Sequence, residues 1–172
     1  MVRAEVVDRQ LRRFVVRIEA PDSAATRGTG VLVAPGWLLT CAHVVEGLDV
    51  LRVVPDRGAA PDLGAVPPSI AAQVRARSEA RDASSASAFW PFPDLALLEL
   101  DGWTDHVCAP LTVAEPVRAS EPHAWGFGRR EPGVRAVGSA ASFRYVGEDG
   151  DGYVSLQAGD APPGLSGAPL VC

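Results

Sequence analysis

Three residues of this chain carry side chains suited to proton transfer and nucleophilic attack, and each stands beside an apolar run. His43 follows "VLVAPGWLLT" at the end of the step Thr40-Cys41-Ala42-His43. Asp94 opens "DLALLEL", and Ser166 lies in "GLSGAPL" between Gly164 and Gly167. A serine hydroxyl is a weak nucleophile near neutral pH and needs a base within hydrogen-bonding reach. An imidazole, whose ordinary pKa is about 6.5, can take that proton and return it. A carboxylate bonded to the other ring nitrogen would fix the tautomer and stabilise the imidazolium. Taken singly, each residue has a plainer explanation. A strand-end histidine can be a core residue with a satisfied hydrogen bond, an aspartate can simply start a strand, and serine is common in Gly-rich loops. Read from residue types alone, both explanations stay open.

Such groups must be held by rigid elements, and the chain offers many short ones. Strand-like runs recur as "RRFVVRIE", "TGVLVA", "WLLT", "VLRVV", "AAQVRAR", "LALLEL", "HAWGF", "AVGSAASFRYV" and "YVSLQ". Between them lie segments rich in Gly, Pro, Asp and Ser, with 17 glycines and 15 prolines in all. Short strands with this punctuation predict an all-β barrel or sandwich. No stretch carries a sustained helical period, although "CAHVVEG" could make one turn. Arg9, Arg12 and Arg13 alternate with apolar residues and are expected on a strand edge. Pro55 to Pro68 and Ser78 to Pro93 are expected to be surface loops. A divide near Trp103 to Pro110 separates a half that carries His43 and Asp94 (1–103) from one that carries Ser166 (104–172).

The three motifs together resemble the trypsin-like, chymotrypsin-fold serine peptidases. In that family a Thr-Ala-Ala-His type step holds the base, Asp-x-Ala-Leu-Leu the orienting acid, and Gly-x-Ser-Gly-Gly-Pro the nucleophile, in this chain order. The resemblance runs from about Phe14 to Cys172. It implies two packed antiparallel β-barrels forming one peptidase domain, with His43, Asp94 and Ser166 as the triad and a protein or peptide as substrate. It also implies an oxyanion hole built from the backbone N–H groups of Gly164 and Ser166. The "GTGVLV" run would be the strand that approaches the base, since it lacks the third glycine of a dinucleotide site. Asp160 stands at the offset before Ser166 where trypsin-like members place the acid that binds Lys or Arg; bacterial relatives carry a structural acid near that place. Asp101 and Asp105 are rival acids, but neither precedes an Ala-Leu-Leu strand. His106 and His123 are expected to be structural or solvent-facing.

The chain departs from the family in several places. Leu165 replaces the acid that pairs with a cleaved N-terminus in zymogen-activated members, so no activation of that kind is expected. Ala168 replaces the second glycine after the serine, and Cys41 has no cysteine beside the histidine to pair with. These departures favour an intracellular, bacterial-type branch, which includes trypsin-like domains attached to larger defence or signalling proteins. The chain stops at Cys172, soon after Ser166, so the second barrel is expected to be truncated, a piece of a longer protein or one completed by a further segment. The rival expectation is a catalytically incomplete barrel acting as a binding or self-processing module.

Composition narrows the remaining choices. Apolar residues make up 47% of the 172, enough for a core, while aromatics are only 6%, so Val, Leu and Ala must supply the packing. The formal net charge of −5 gives no general attraction to nucleic acid. The opening "MVRAEVVDRQLRRFVVRI" lacks the pattern of a secretory signal, and no apolar run is long enough to span a bilayer. Cys41, Cys108 and Cys172 are odd in number and lack metal-type spacing, which predicts free thiols in a reducing, cytoplasmic setting. No metal or cofactor is expected.

Overall fold

The computed structural model describes residues 2–56, 66–79, 93–111, 121–128, 137–148, 154–158 and 163–171. Ten strands form in the order β1 (Val15–Glu19), β2 (Thr26–Ala34), β3 (Trp37–Thr40), β4 (Val50–Pro55), β5 (Ile70–Arg77), β6 (Ala96–Leu100), β7 (His123–Gly128), β8 (Val137–Glu148), β9 (Val154–Ala158) and β10 (Leu170–Val171). All nine strand-like runs of the sequence are recovered. Most of the two expected loops (57–65 and 80–92), with Asp160 and Cys172, lies outside the described residues.

The first six strands close into a barrel in the order β1-β2-β3-β6-β5-β4, with β4 pairing back to β1. The period of two decides what fills it. In β6, Ala96, Leu98 and Leu100 turn inward while Leu97 and Glu99 are half-buried. Ile18, Leu38, Val45, Val53, Ala72 and Leu98 meet there with no exposure at all. Aliphatic side chains suffice because β2 comes in close: a Cβ at Gly30 would sit 2.9 Å from Leu38 and 3.1 Å from Ile18. One carboxylate, Glu19, is buried in the barrel wall and is bonded by Arg17 at 2.7 Å and Arg52 at 2.7 Å. Its two guanidinium partners compensate the loss of hydration.

The second half is a four-stranded antiparallel sheet ordered β10-β7-β8-β9. Two packed barrels were expected, and among the described residues only the first is closed. Trp125 and Phe127 of β7 face the outer side of β1 and β2, and Phe127 packs on Val15.

The N-terminus differs from expectation. Val2–Leu11 is a helix, α1, not a strand edge, with Glu5 in its first turn and Arg9 in its last, each favourable to the helix dipole. So short a helix depends on docking. Asp8 bonds His123 Nε2 of β7, Arg12 lies 5.0 Å from the Trp125 ring centre, and Arg12 also pairs with Asp56 at 2.8 Å. His123 is therefore a structural clasp, and Ser142 Oγ contacts its Nδ1. Among the described residues, no helix is long and apolar enough to cross a membrane.

Candidate active site

Strand register brings the base and acid candidates together. β3 pairs with β6 so that Thr40 faces Ala96. The chain just beyond Thr40 and the chain just before Ala96 therefore leave the barrel at the same edge. Beyond Thr40 the backbone makes the expected single turn, a 3-10 segment over Ala42–Val45. Its buried Ala42, Val44 and Val45 turn His43 to the surface. There Asp94 takes two hydrogen bonds from one residue: the His43 backbone N–H donates to Oδ1 at 3.0 Å, and Nδ1 lies 2.6 Å from Oδ2. This contact places the ring proton on Nδ1 and leaves Nε2 as the accepting nitrogen. The histidine side chain is 37% exposed and the aspartate 17%, so the ring can meet a substrate while its partner stays sheltered.

Ser166 enters from the other half, on a turn just before β10 of the second sheet. The turn docks against β2 through its backbone, with Thr29 N–H donating to the Ser166 carbonyl at 2.8 Å. Gly28, the neighbour of Thr29, marks where base and serine approach: a Cβ there would lie 2.6 Å from Val44 and 2.9 Å from the Ser166 carbonyl oxygen. At Gly28 there is thus no room for a side chain between Val44 of the histidine turn and the Ser166 carbonyl. Gly164 has φ +103°, a backbone that L side chains avoid, and a Cβ there would collide with the Phe127 carbonyl.

His43, Asp94, Gly164 and Ser166 thus occupy one region, while Asp160 lies outside the described residues. The carboxylate that bonds His43 is Asp94, not Asp101 or Asp105, among the described residues. His106 is elsewhere: its Nε2 accepts the Gly36 N–H at 3.0 Å and its ring packs 4.9 Å from Trp103, with burial holding it below the ordinary histidine pKa.

Three residues at the site were given no part in it by the sequence. Thr29 is fully buried, and its hydroxyl donates to the Gly164 carbonyl at 2.9 Å while accepting the Phe127 N–H at 2.9 Å. Thr40 donates to the Thr29 carbonyl at 2.7 Å. Cys41 places its sulfur, with a His43 ring nitrogen and an Asp94 oxygen, in a set whose atoms all lie within 4.8 Å of one another. By residue type that trio could hold a metal, but only a thiolate is a good ligand. Burial first, and then the Asp94 charge, push the thiol up to about 11, against the opposing effect of a hydrogen bond from the Gly167 N–H. A metal would have to displace both the thiol proton and the imidazole proton that Asp94 holds, so the trio fits a hydrogen-bonded network better than a metal site.

The raised thiol has a direct consequence. Against an ordinary value of 9.0, about 11 means roughly 10²-fold less thiolate at neutral pH. Maleimide alkylation of native Cys41 at pH 7 should be slower than in unfolded protein by at least that factor, read by peptide mass. Equal rates would show that the thiol is neither buried nor held by Asp94.

Comparison with known proteins bears on the family and the fold. The family model for the trypsin-like peptidase domain matches residues 28–172. The chain belongs to that family. Among solved structures, this trypsin-like domain is similar to the Rv3671c protease of M. tuberculosis H37Rv in its inactive form, at 21% identity and TM-score 0.63, covering 99% of this chain and 77% of that one. It is also similar to a serine endoprotease from Yersinia pestis (19% identity, TM-score 0.63, 95% of this chain and 52% of that one). A third is the HtrA-type protease AlgW with a decapeptide (19%, TM-score 0.63, 96% and 55%). At these identities the likeness concerns the fold. A sequence search of curated proteins finds no match.

Proposed function

We propose that this trypsin-like domain is a serine endopeptidase that cleaves protein or peptide substrates through an acyl-enzyme, with His43 as base, Asp94 as its orienting partner and Ser166 as nucleophile. The observation that carries it is the double hydrogen bond from His43 to Asp94, which leaves Nε2 as the accepting nitrogen at the edge where the Ser166 turn docks. In the first step Ser166 Oγ bonds the substrate carbonyl carbon and its proton passes to His43 Nε2. His43 then protonates the departing amine as the C–N bond breaks. In the second step water attacks the ester carbon, again giving its proton to His43, and Ser166 recovers the proton as the acid product leaves. Gly164 and Ser166 N–H groups stabilise the negative oxygen in both steps.

The test is labelling with a fluorophosphonate, followed by intact mass and peptide mapping. One adduct is expected, on the peptide that contains Ser166, and none in the Ser166→Ala protein. A folded sample that takes no label would favour a binding or self-processing module over a competent peptidase.

A further inference from the structure

Thr29 makes more polar contacts than a strand residue needs, most of them to the second half. Its N–H donates to the Ser166 carbonyl, its carbonyl accepts the Thr40 hydroxyl, and its own hydroxyl joins the Gly164 carbonyl to the Phe127 N–H. The side chain has no exposure, so water cannot replace any of these bonds. The two groups it joins belong to different elements of the second half, β7 and the serine turn. The turn is also held by the Ser166 carbonyl bond to Thr29 and by the Ala168 N–H, which donates to the Leu165 carbonyl at 2.8 Å, but neither bond engages the Gly164 carbonyl. Leu165 is apolar and is pressed against β7, where a Cβ at Gly126 would lie 2.7 Å from its methyl. Packing of that sort fixes how deep the turn sits, and leaves rotation of the Gly164–Leu165 peptide undetermined. A hydrogen bond to the Gly164 carbonyl does determine it.

We propose that Thr29 is a positioning residue for the peptidase reaction, its hydroxyl holding the Gly164–Ser166 turn in the conformation that stabilises the oxyanion. This rests on Ser166 being the nucleophile. The hydroxyl never touches substrate. It acts through the Gly164 peptide, whose plane sets the direction of the neighbouring N–H groups, and β7 serves as the fixed point from which the turn is hung. Because β2 also passes beside Val44, next to His43, the same strand sets the distance between base and nucleophile.

Thr29→Val keeps the shape and removes both hydroxyl bonds, whereas Thr29→Ser keeps the hydroxyl and loses a methyl. The measurement is the rate of fluorophosphonate labelling at saturating and subsaturating reagent, with wild type, Ser166→Ala and both Thr29 variants, well below each melting temperature. The saturating rate should fall about 10²-fold in Thr29→Val, the size seen when an oxyanion donor is lost. The half-saturating concentration should stay within about threefold, and Thr29→Ser should recover most of the rate. A role in stability alone would lower the melting temperature but leave the rate of the folded fraction unchanged. That outcome would overturn the proposal. If Thr29→Val lacks a native melting transition, Thr29→Cys replaces it, with a weaker donor at the same place and an expected loss of about tenfold. Wild type behaving like Ser166→Ala would remove the peptidase assignment itself and this proposal with it. Wild type labelling normally while Thr29→Val or Thr29→Cys labels equally fast would remove the Thr29 role alone.

Discussion

Ser166→Ala is expected to reduce peptide hydrolysis by about 10⁶-fold, the scale at which loss of a triad nucleophile is felt in serine peptidases. The residual rate, about 10³–10⁴-fold over water, would come from substrate binding and the oxyanion hole. Stability should hardly change. The turn is fixed by the Ser166 carbonyl, which bonds Thr29 at 2.8 Å, and by Gly164, neither of which the substitution alters. Hydrolysis of a fluorogenic peptide library and a melting curve on the same preparation make the check. A melting temperature lowered by many degrees, or turnover within tenfold of wild type, would show that Ser166 is a structural turn residue.

Asp94→Asn should cost about 10⁴-fold in kcat, for a reason visible in the geometry. Asp94 presents an acceptor to both donors of His43, at 3.0 and 2.6 Å. An asparagine of the same shape keeps one acceptor and turns an NH₂ group towards the other donor. If the NH₂ faces Nδ1, the ring must carry its proton on Nε2, where it cannot accept one from Ser166. If it faces the backbone N–H, that donor is opposed. KM for a peptide should stay within a few-fold because Asp94 is sheltered from substrate. A kcat within tenfold of wild type would assign the orienting role elsewhere, and the rival acids Asp101 and Asp105 would need testing.

The parts of this arrangement that were legible in the sequence are those encoded locally. β3 and β6 announce themselves as compact apolar runs, and their register then determines that His43 and Asp94 meet. The single turn at "CAHVVEG" is likewise a local property. The helix α1 was not legible because its valines suit a strand as well as a helix. What decides it is docking through Asp8 and Arg12 onto His123, Trp125 and Asp56, partners distant in sequence. Thr29 is the clearest omission. Between two glycines it looks like part of a backbone that must pass close to the base, and that expectation agrees with the contacts of Gly28. Its hydroxyl, however, serves Phe127 and Gly164, which lie 98 and 135 residues away. A hint was present: a hydroxyl on a strand that must be buried on both sides needs a partner. The strand-like runs predicted a barrel or a sandwich, but neither the return of β4 to β1 that closes the first six strands nor the open second sheet among the described residues could be read from them.

The barrel's backbone bonding runs all the way round, β4 returning to β1. A cylinder of this kind has no selvedge, so its circumference offers no row of unpaired peptide groups to a newcomer. The four-stranded sheet is different: among the described residues its margins are β10 and β9, each bonded on one side only. Among the described residues, an extended peptide joining this molecule strand to strand would find an open margin on the half that carries Ser166. The two halves thus differ: a closed cylinder carries His43 and Asp94 at one edge, and the sheet beside it has, among the described residues, two margins bonded on one side only.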